Sequence, residues 1–159
     1  MKIFLGPGEL AVASTITALR QGVNREVGIA NRKAGPQDPI TTELIGILGE
    51  LAVAKALNVY PDLTTHLRSG GADAIVQGYA VDVKSTRNPH GDLYVDARPG
   101  KRPDLYVLVH VEYLTCTILG WCWAAEVPDR AHIFTENVAR VRHIDLDHPR
   151  YLLTLAPPT

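Results

Sequence analysis

The sequence predicts an α/β protein of the α+β kind, a mixed β-sheet flanked by helices. Three observations predict it. Residues 40–57 are apolar nearly all round, which describes a buried helix rather than a surface one. Residues 72–85 read as a hairpin: a short apolar run over 72–76, the pair Gln77-Gly78 as a two-residue turn, and a β-branched run over 79–85. Residues 104–112 and 115–125 are two long apolar stretches, joined at Tyr113-Leu114 as strands joined by a turn are.

In chain order, Pro7-Gly8 precedes a helix expected over 9–20, with Leu10, Ala13, Thr17 and Leu19 near one side and Gly22 interrupting it. A second helical piece is expected over 24–33, made basic by Arg25, Arg32 and Lys33. Residues 34–39 form a loop, in which Asp38 caps the next helix and Pro39 takes its first position. In the helix over 40–57, Leu44, Ile47, Leu48, Leu51 and Leu57 supply bulk. Gly46 and Gly49 each cost about 1 kcal/mol relative to Ala, and make sense where another backbone comes close. Residues 63–67 read as a strand. A polar loop follows the hairpin over 85–91, then a short strand over 93–97. Beyond Glu126 the expected pieces are a helical turn over 127–131, strands over 132–134 and 141–146, and a last turn through 148–151 capped by Asp147.

The chain has 159 residues, enough for one domain with a real core. Its motif-bearing part spans 39–126, between an N-terminal helical extension (1–38) and a C-terminal elaboration (127–159). With Lys+Arg 16 against Asp+Glu 17, there is no overall basic signal, so any nucleic-acid contact must come from a local patch. Cys116 and Cys122 form no CxxC, which argues against a zinc or disulfide framework and for reduced thiols. The N-terminal apolar run is too short for a signal peptide, and no segment has the length of a membrane span. A cytoplasmic protein is expected. The tail over 156–159 is expected to fray.

The hairpin carries the chemistry. With Gln77-Gly78 as the loop, Val76 faces Tyr79, Ala74 faces Val81 and Asp73 faces Asp82, about 5 Å apart. Lys84 points the same way as Asp82. Ala74, Val76, Val81 and Val83 take the other, greasy face. Two close carboxylates either share a proton or hold a cation. Hard divalent ions such as Mg²⁺ accept carboxylate oxygens together with substrate phosphate. Glu50 shares its helical row with Gly46, Ile47, Val53 and Ala54, where a carboxylate is rarely buried unpaired. It either pairs with a Lys or Arg or joins the acids of the hairpin. Arg87 suits a phosphate, and Ser85 and Thr86 could donate to one. Arg98, Lys101 and Arg102 make the densest basic cluster, a candidate backbone-contacting loop. The six histidines show no HxH or HExxH spacing, and neither a nucleophile elbow nor a glycine-rich phosphate loop is present.

Asp73 followed by Asp82-Val83-Lys84 is similar to the PD-(D/E)xK motif of the restriction-endonuclease-like nuclease superfamily. Gly49-Glu50-Leu51-Ala52 resembles the helix, often bearing a Glu, that this family sets before its hairpin. The likeness covers roughly 41–126 and suggests a small phage-type or junction-resolvase-like member. It departs from the motif at Ala72, where Pro is usual, and at Asp82, the shorter of the two permitted acids. The resemblance implies a restriction-endonuclease-like sheet and a Mg²⁺- or Mn²⁺-dependent endonuclease that hydrolyses DNA, in one version selective for branched structures. Glu50, Asp73, Asp82 and Lys84 would be catalytic, with Glu50, Asp73, Asp82 and the Val83 carbonyl on the metal. Small members of that kind work as dimers, so a homodimer is expected. Two competing readings are a nucleic-acid-binding module that keeps the fold without turnover, and a plain structural or interaction protein whose acids are surface groups; for the hairpin itself the bland reading is a salt-bridge cluster in which Lys84 offsets Asp82 while Asp73 caps a turn.

Overall fold

The computed structural model describes residues 1–26, 38–65, 72–98, 100 and 102–155, with side chains described up to residue 23 in the first stretch. A short strand β1 (Lys2–Phe4) leads into helix α1 (Pro7–Glu26). Helix α2 (Pro39–Leu57) starts as its sequence dictates: Asp38 Oδ2 accepts from the Thr41 N–H at 2.8 Å, and Pro39 needs no donor partner in the first turn. It ends at Asn58, whose φ of 53° lets the backbone N–H turn back to the Ala54 and Lys55 carbonyls. The hairpin is β2 (Ala74–Val76) and β3 (Tyr79–Thr86). Gln77 and Gly78 both have positive φ, 52° and 90°, as a tight hairpin turn requires. Val76 pairs with Tyr79 and Ala74 with Val81. Strands β4 (Leu93–Asp96), β5 (Leu105–Glu112) and β6 (Thr115–Trp123) follow, then α3 (Val127–Arg130), β7 (Ile133–Phe134), β8 (Val138–Val141) and α4 (Pro149–Leu152).

The main sheet has the order β1-β6-β5-β3-β2, antiparallel except where β3 runs parallel to β5. A smaller antiparallel sheet has the order β4-β8-β7. The alternation of β3 and β5 divides the molecule into layers. Val81, Val83, Val107, Val109 and Val111 point toward Ile47, Leu48, Leu51 and Ala52 of α2, and Ala13 and Ile16 of α1 join the same core. Tyr106 and Leu108 point the other way and pack with Leu93, Val95, Ala139 and Val141 of the small sheet. The result is a mixed α+β arrangement, with helices on one face of the sheet and a second sheet on the other.

At Gly49, α2 comes close to the sheet. A Cβ there would lie 2.1 Å from Ser85 Oγ, so the helix rests its backbone on β3. Among the described residues no helix is long and apolar enough to cross a membrane.

Several expectations need correcting. Gly22 does not interrupt the first helix; α1 runs through it to Glu26, because one glycine costs only about 1 kcal/mol. Residues 24–26 therefore belong to α1, and 27–33 lie outside the described residues, as do 66–67 and the tail 156–159. Residues 63–65 are not strand; Asp62 makes a local turn there, accepting from the Thr64 N–H at 2.9 Å. Leu19 is 53% exposed rather than inward-facing. The strand expected over 141–146 is displaced: β8 ends at Val141, and His143–Asp145 is a 3-10 turn. His148, not Asp147, caps α4, accepting from the Arg150 N–H at 3.2 Å.

Candidate active site

The hairpin expectation holds for the greasy face and changes for the polar one. Ala74, Val76, Val81 and Val83 are buried. Asp82 and Lys84 share the opposite face of β3, and the Lys84 ammonium lies 2.8 Å from each Asp82 oxygen. The Asp73 carboxylate meets the backbone of β3. Asp73 lies just before β2, is 5% exposed, and turns Oδ2 onto the Val83 N–H at 2.7 Å. An N–H at the sheet edge satisfies a buried carboxylate.

That contact marks an opening in the sheet. The β2 ladder ends at Ala74 opposite Val81, while β3 continues to Thr86. The Val81 carbonyl already receives the Asp73 N–H at 2.8 Å. In a strand, residues two apart present their backbone groups to the same edge, so the Val83 carbonyl also points toward the Asp73 side. One carboxylate, one peptide carbonyl and the neighbouring Asp82–Lys84 pair thus gather where β3 leaves its partner.

Glu50 pairs with a cation on α1. Its Oε2 lies 3.6 Å from the Arg20 guanidinium and its side chain is 10% exposed. Arg20 is a residue that the sequence reading missed. It is 7% exposed, and it reaches Glu43 Oε1 at 3.2 Å, the Thr64 carbonyl at 3.2 Å and the Asp62 carbonyl at 3.4 Å. The Asp62 N–H in turn donates to the Asp73 carbonyl at 2.9 Å. Arg20 thereby links both helices to the backbone of the motif carboxylate. The available signal was its place on the row Ala13, Ile16, Thr17, Arg20, which turns inward.

The expected nucleic-acid residues divide. Arg87 is exposed at the end of β3. The Ser85 hydroxyl is buried beneath Gly49, not offered to a phosphate. Thr86 Oγ1 accepts from the Asn88 N–H at 3.1 Å. Arg98 is paired with Asp96, and Arg102 donates to the Ala97 carbonyl at 3.0 Å. Lys101 lies outside the described residues.

Tyr106, paired across the ladder with Asp82, has its hydroxyl pushed up to about 12 by burial first and by the Asp82 charge second; Arg102 opposes the shift. A phenol that is harder to ionise folded than unfolded stabilises the fold fully below about pH 10. That contribution drains away as pH rises from 10 toward 12. Alkaline unfolding followed by circular dichroism should therefore be steep in that window, and flatter in Tyr106→Phe.

Donor type suits a hard divalent cation: Asp73, Asp82 and the Val83 carbonyl offer only oxygen. Among the described residues, however, no three Asp, Glu, His or Cys side chains gather into a metal-ready group. The fit is one of donor chemistry at Asp73, Asp82 and the Val83 carbonyl. The fold is of the mixed α+β class. Comparison with family models, curated proteins and solved structures finds no match to this chain.

Proposed function

We propose that this chain is a divalent-metal-dependent nuclease that hydrolyses DNA phosphodiester bonds on a restriction-endonuclease-like core. One observation carries the reading: Asp73 turned onto the Val83 peptide at an open strand edge, with Asp82 and Lys84 paired one residue to either side. Asp73, Asp82 and the Val83 carbonyl would hold Mg²⁺ or Mn²⁺, which when bound polarises the phosphate and acidifies a water. The chain's own contribution is charge placed in advance. The Asp73 carboxylate is fixed by a backbone N–H. Lys84 keeps an ammonium at the strand edge, where it offsets charge developing on the phosphoryl oxygens. Arg87 and Arg102 would contact flanking phosphates, which fix register without reading sequence.

The two contacts between Lys84 and Asp82 favour one alternative, a binding module that keeps the fold without turnover. The two readings separate in a cleavage assay on supercoiled plasmid, single-stranded and branched DNA with Mg²⁺ or Mn²⁺. Cleavage abolished by EDTA is expected. Intact DNA in all three substrates with both ions would overturn the enzyme.

A further inference from the structure

Tyr106 stands on β5 directly across the parallel ladder from Asp82, on the face of the main sheet that carries Asp82 and Lys84. It belongs to the layer formed with Leu93, Val95 and Ala139 of the small sheet, and it is 5% exposed. A buried tyrosine ordinarily finds a partner for its O–H. Among the described residues this hydroxyl has none. Nor is it one of their sealed polar atoms, as Gln21 Nε2 and Trp121 Nε1 are, so it opens to water.

The charges around it are paired, with one left over. Lys84 offsets Asp82, and Arg98 offsets Asp96. Arg102 is exposed and meets no carboxylate among the described residues. One of its nitrogens donates to the Ala97 carbonyl at 3.0 Å, which holds the side chain without neutralising it and leaves N–H groups to spare. The loop that bears Arg102 is pinned at both ends. The Ala97 N–H donates to the Asn137 carbonyl at 3.1 Å, and Asp104 Oδ2 accepts from the Ala80 N–H at 2.7 Å. Of the charges acting on the Tyr106 hydroxyl, Asp82 is the strongest and Arg102 the next. A neutral donor and an uncommitted cation thus lie together beside the Asp82–Lys84 pair.

We propose that Tyr106 and Arg102 together hold one phosphate of bound DNA at this place. The Tyr106 O–H donates to one non-bridging oxygen and the Arg102 guanidinium to another. Arginine supplies the charge. Tyrosine supplies direction, since its ring is held in a packed layer. The inference rests on the DNA reading but not on turnover, because a binding module would use the same contact.

Fluorescence anisotropy of labelled duplex and branched DNA tests it, in EDTA and across a series of salt concentrations. Wild type should bind at low salt. Tyr106→Phe should weaken binding about tenfold, as loss of a hydrogen bond to a charged group does. The slope of log affinity against log salt should stay unchanged, because no charge is lost. Arg102→Gln should weaken binding and lower that slope by about one. Tyr94→Phe, at a position 52% exposed on the small sheet, should bind as wild type does. Circular dichroism should stay native in all three, and if Tyr106→Phe fails to fold, Arg102→Gln decides. A folded Tyr106→Phe with wild-type affinity, or Arg102→Gln with an unchanged slope, overturns the inference and leaves the DNA reading standing. So does an equal loss in Tyr94→Phe. Wild type that binds neither DNA in EDTA overturns the inference, and absence of cleavage with Mg²⁺ as well overturns the DNA reading with it.

Discussion

Lys84→Ala is expected to lower DNA cleavage at least about 100-fold, the size seen when one preorganised transition-state donor is removed. Its thermal midpoint should move little. The Asp82–Lys84 pair is 24% and 38% exposed, and ion pairs that open to solvent contribute under about 1 kcal/mol. The cluster read as a mere salt bridge predicts the reverse, a small loss of stability with cleavage unchanged. A single variant, measured for turnover and for thermal midpoint, distinguishes the two. The Lys84→Arg variant refines it. A planar guanidinium keeps the charge but not the point geometry, so partial rather than full recovery is expected.

Arg20→Met is expected to act mainly on stability. It keeps an unbranched stem but removes the charge between Glu43 and Glu50 and the donors to the Asp62 and Thr64 carbonyls. Removing one partner from a buried ion pair costs about 3–5 kcal/mol. Glu43 is 27% exposed and water relieves part of that, so about 3 kcal/mol is expected here. In a chain of this length that lowers the thermal midpoint by roughly 6–12 °C. Glu43→Gln, which leaves Arg20 with Glu50, should cost well under half as much. If Arg20→Met unfolds at the wild-type temperature, the link between the helices and the Asp62–Asp73 segment has no energetic weight.

Elements whose signal is local were legible in the sequence. The Asp38 cap, Pro39, the Gln77-Gly78 turn and the alternation through Val81 and Val83 all depend on near neighbours, and each stands where expected. Gly49 was legible as a close approach, and the structure supplies the neighbour, Ser85. What could not be read depends on contacts distant in sequence. Strand β1 has three residues, and only its pairing with 115–117 of β6 makes it a strand. Glu50 was ambiguous because its partner, Arg20, lies thirty positions earlier on another helix. The hairpin register set Asp73 opposite Asp82, but register alone does not say whether a carboxylate faces outward or folds onto a backbone N–H. Asp73 does the latter.

The central claim is that Asp73, Asp82 and the Val83 carbonyl share one cation at the open edge of β3. Crystals of the wild-type chain soaked in Mn²⁺, with anomalous difference density measured at the manganese edge, test it most directly. The account predicts a peak about 2.0–2.3 Å from carboxylate oxygens of both Asp73 and Asp82, lost in Asp82→Asn. A map with no peak there, or with manganese only elsewhere while the Asp82–Lys84 pair stays closed, would contradict it.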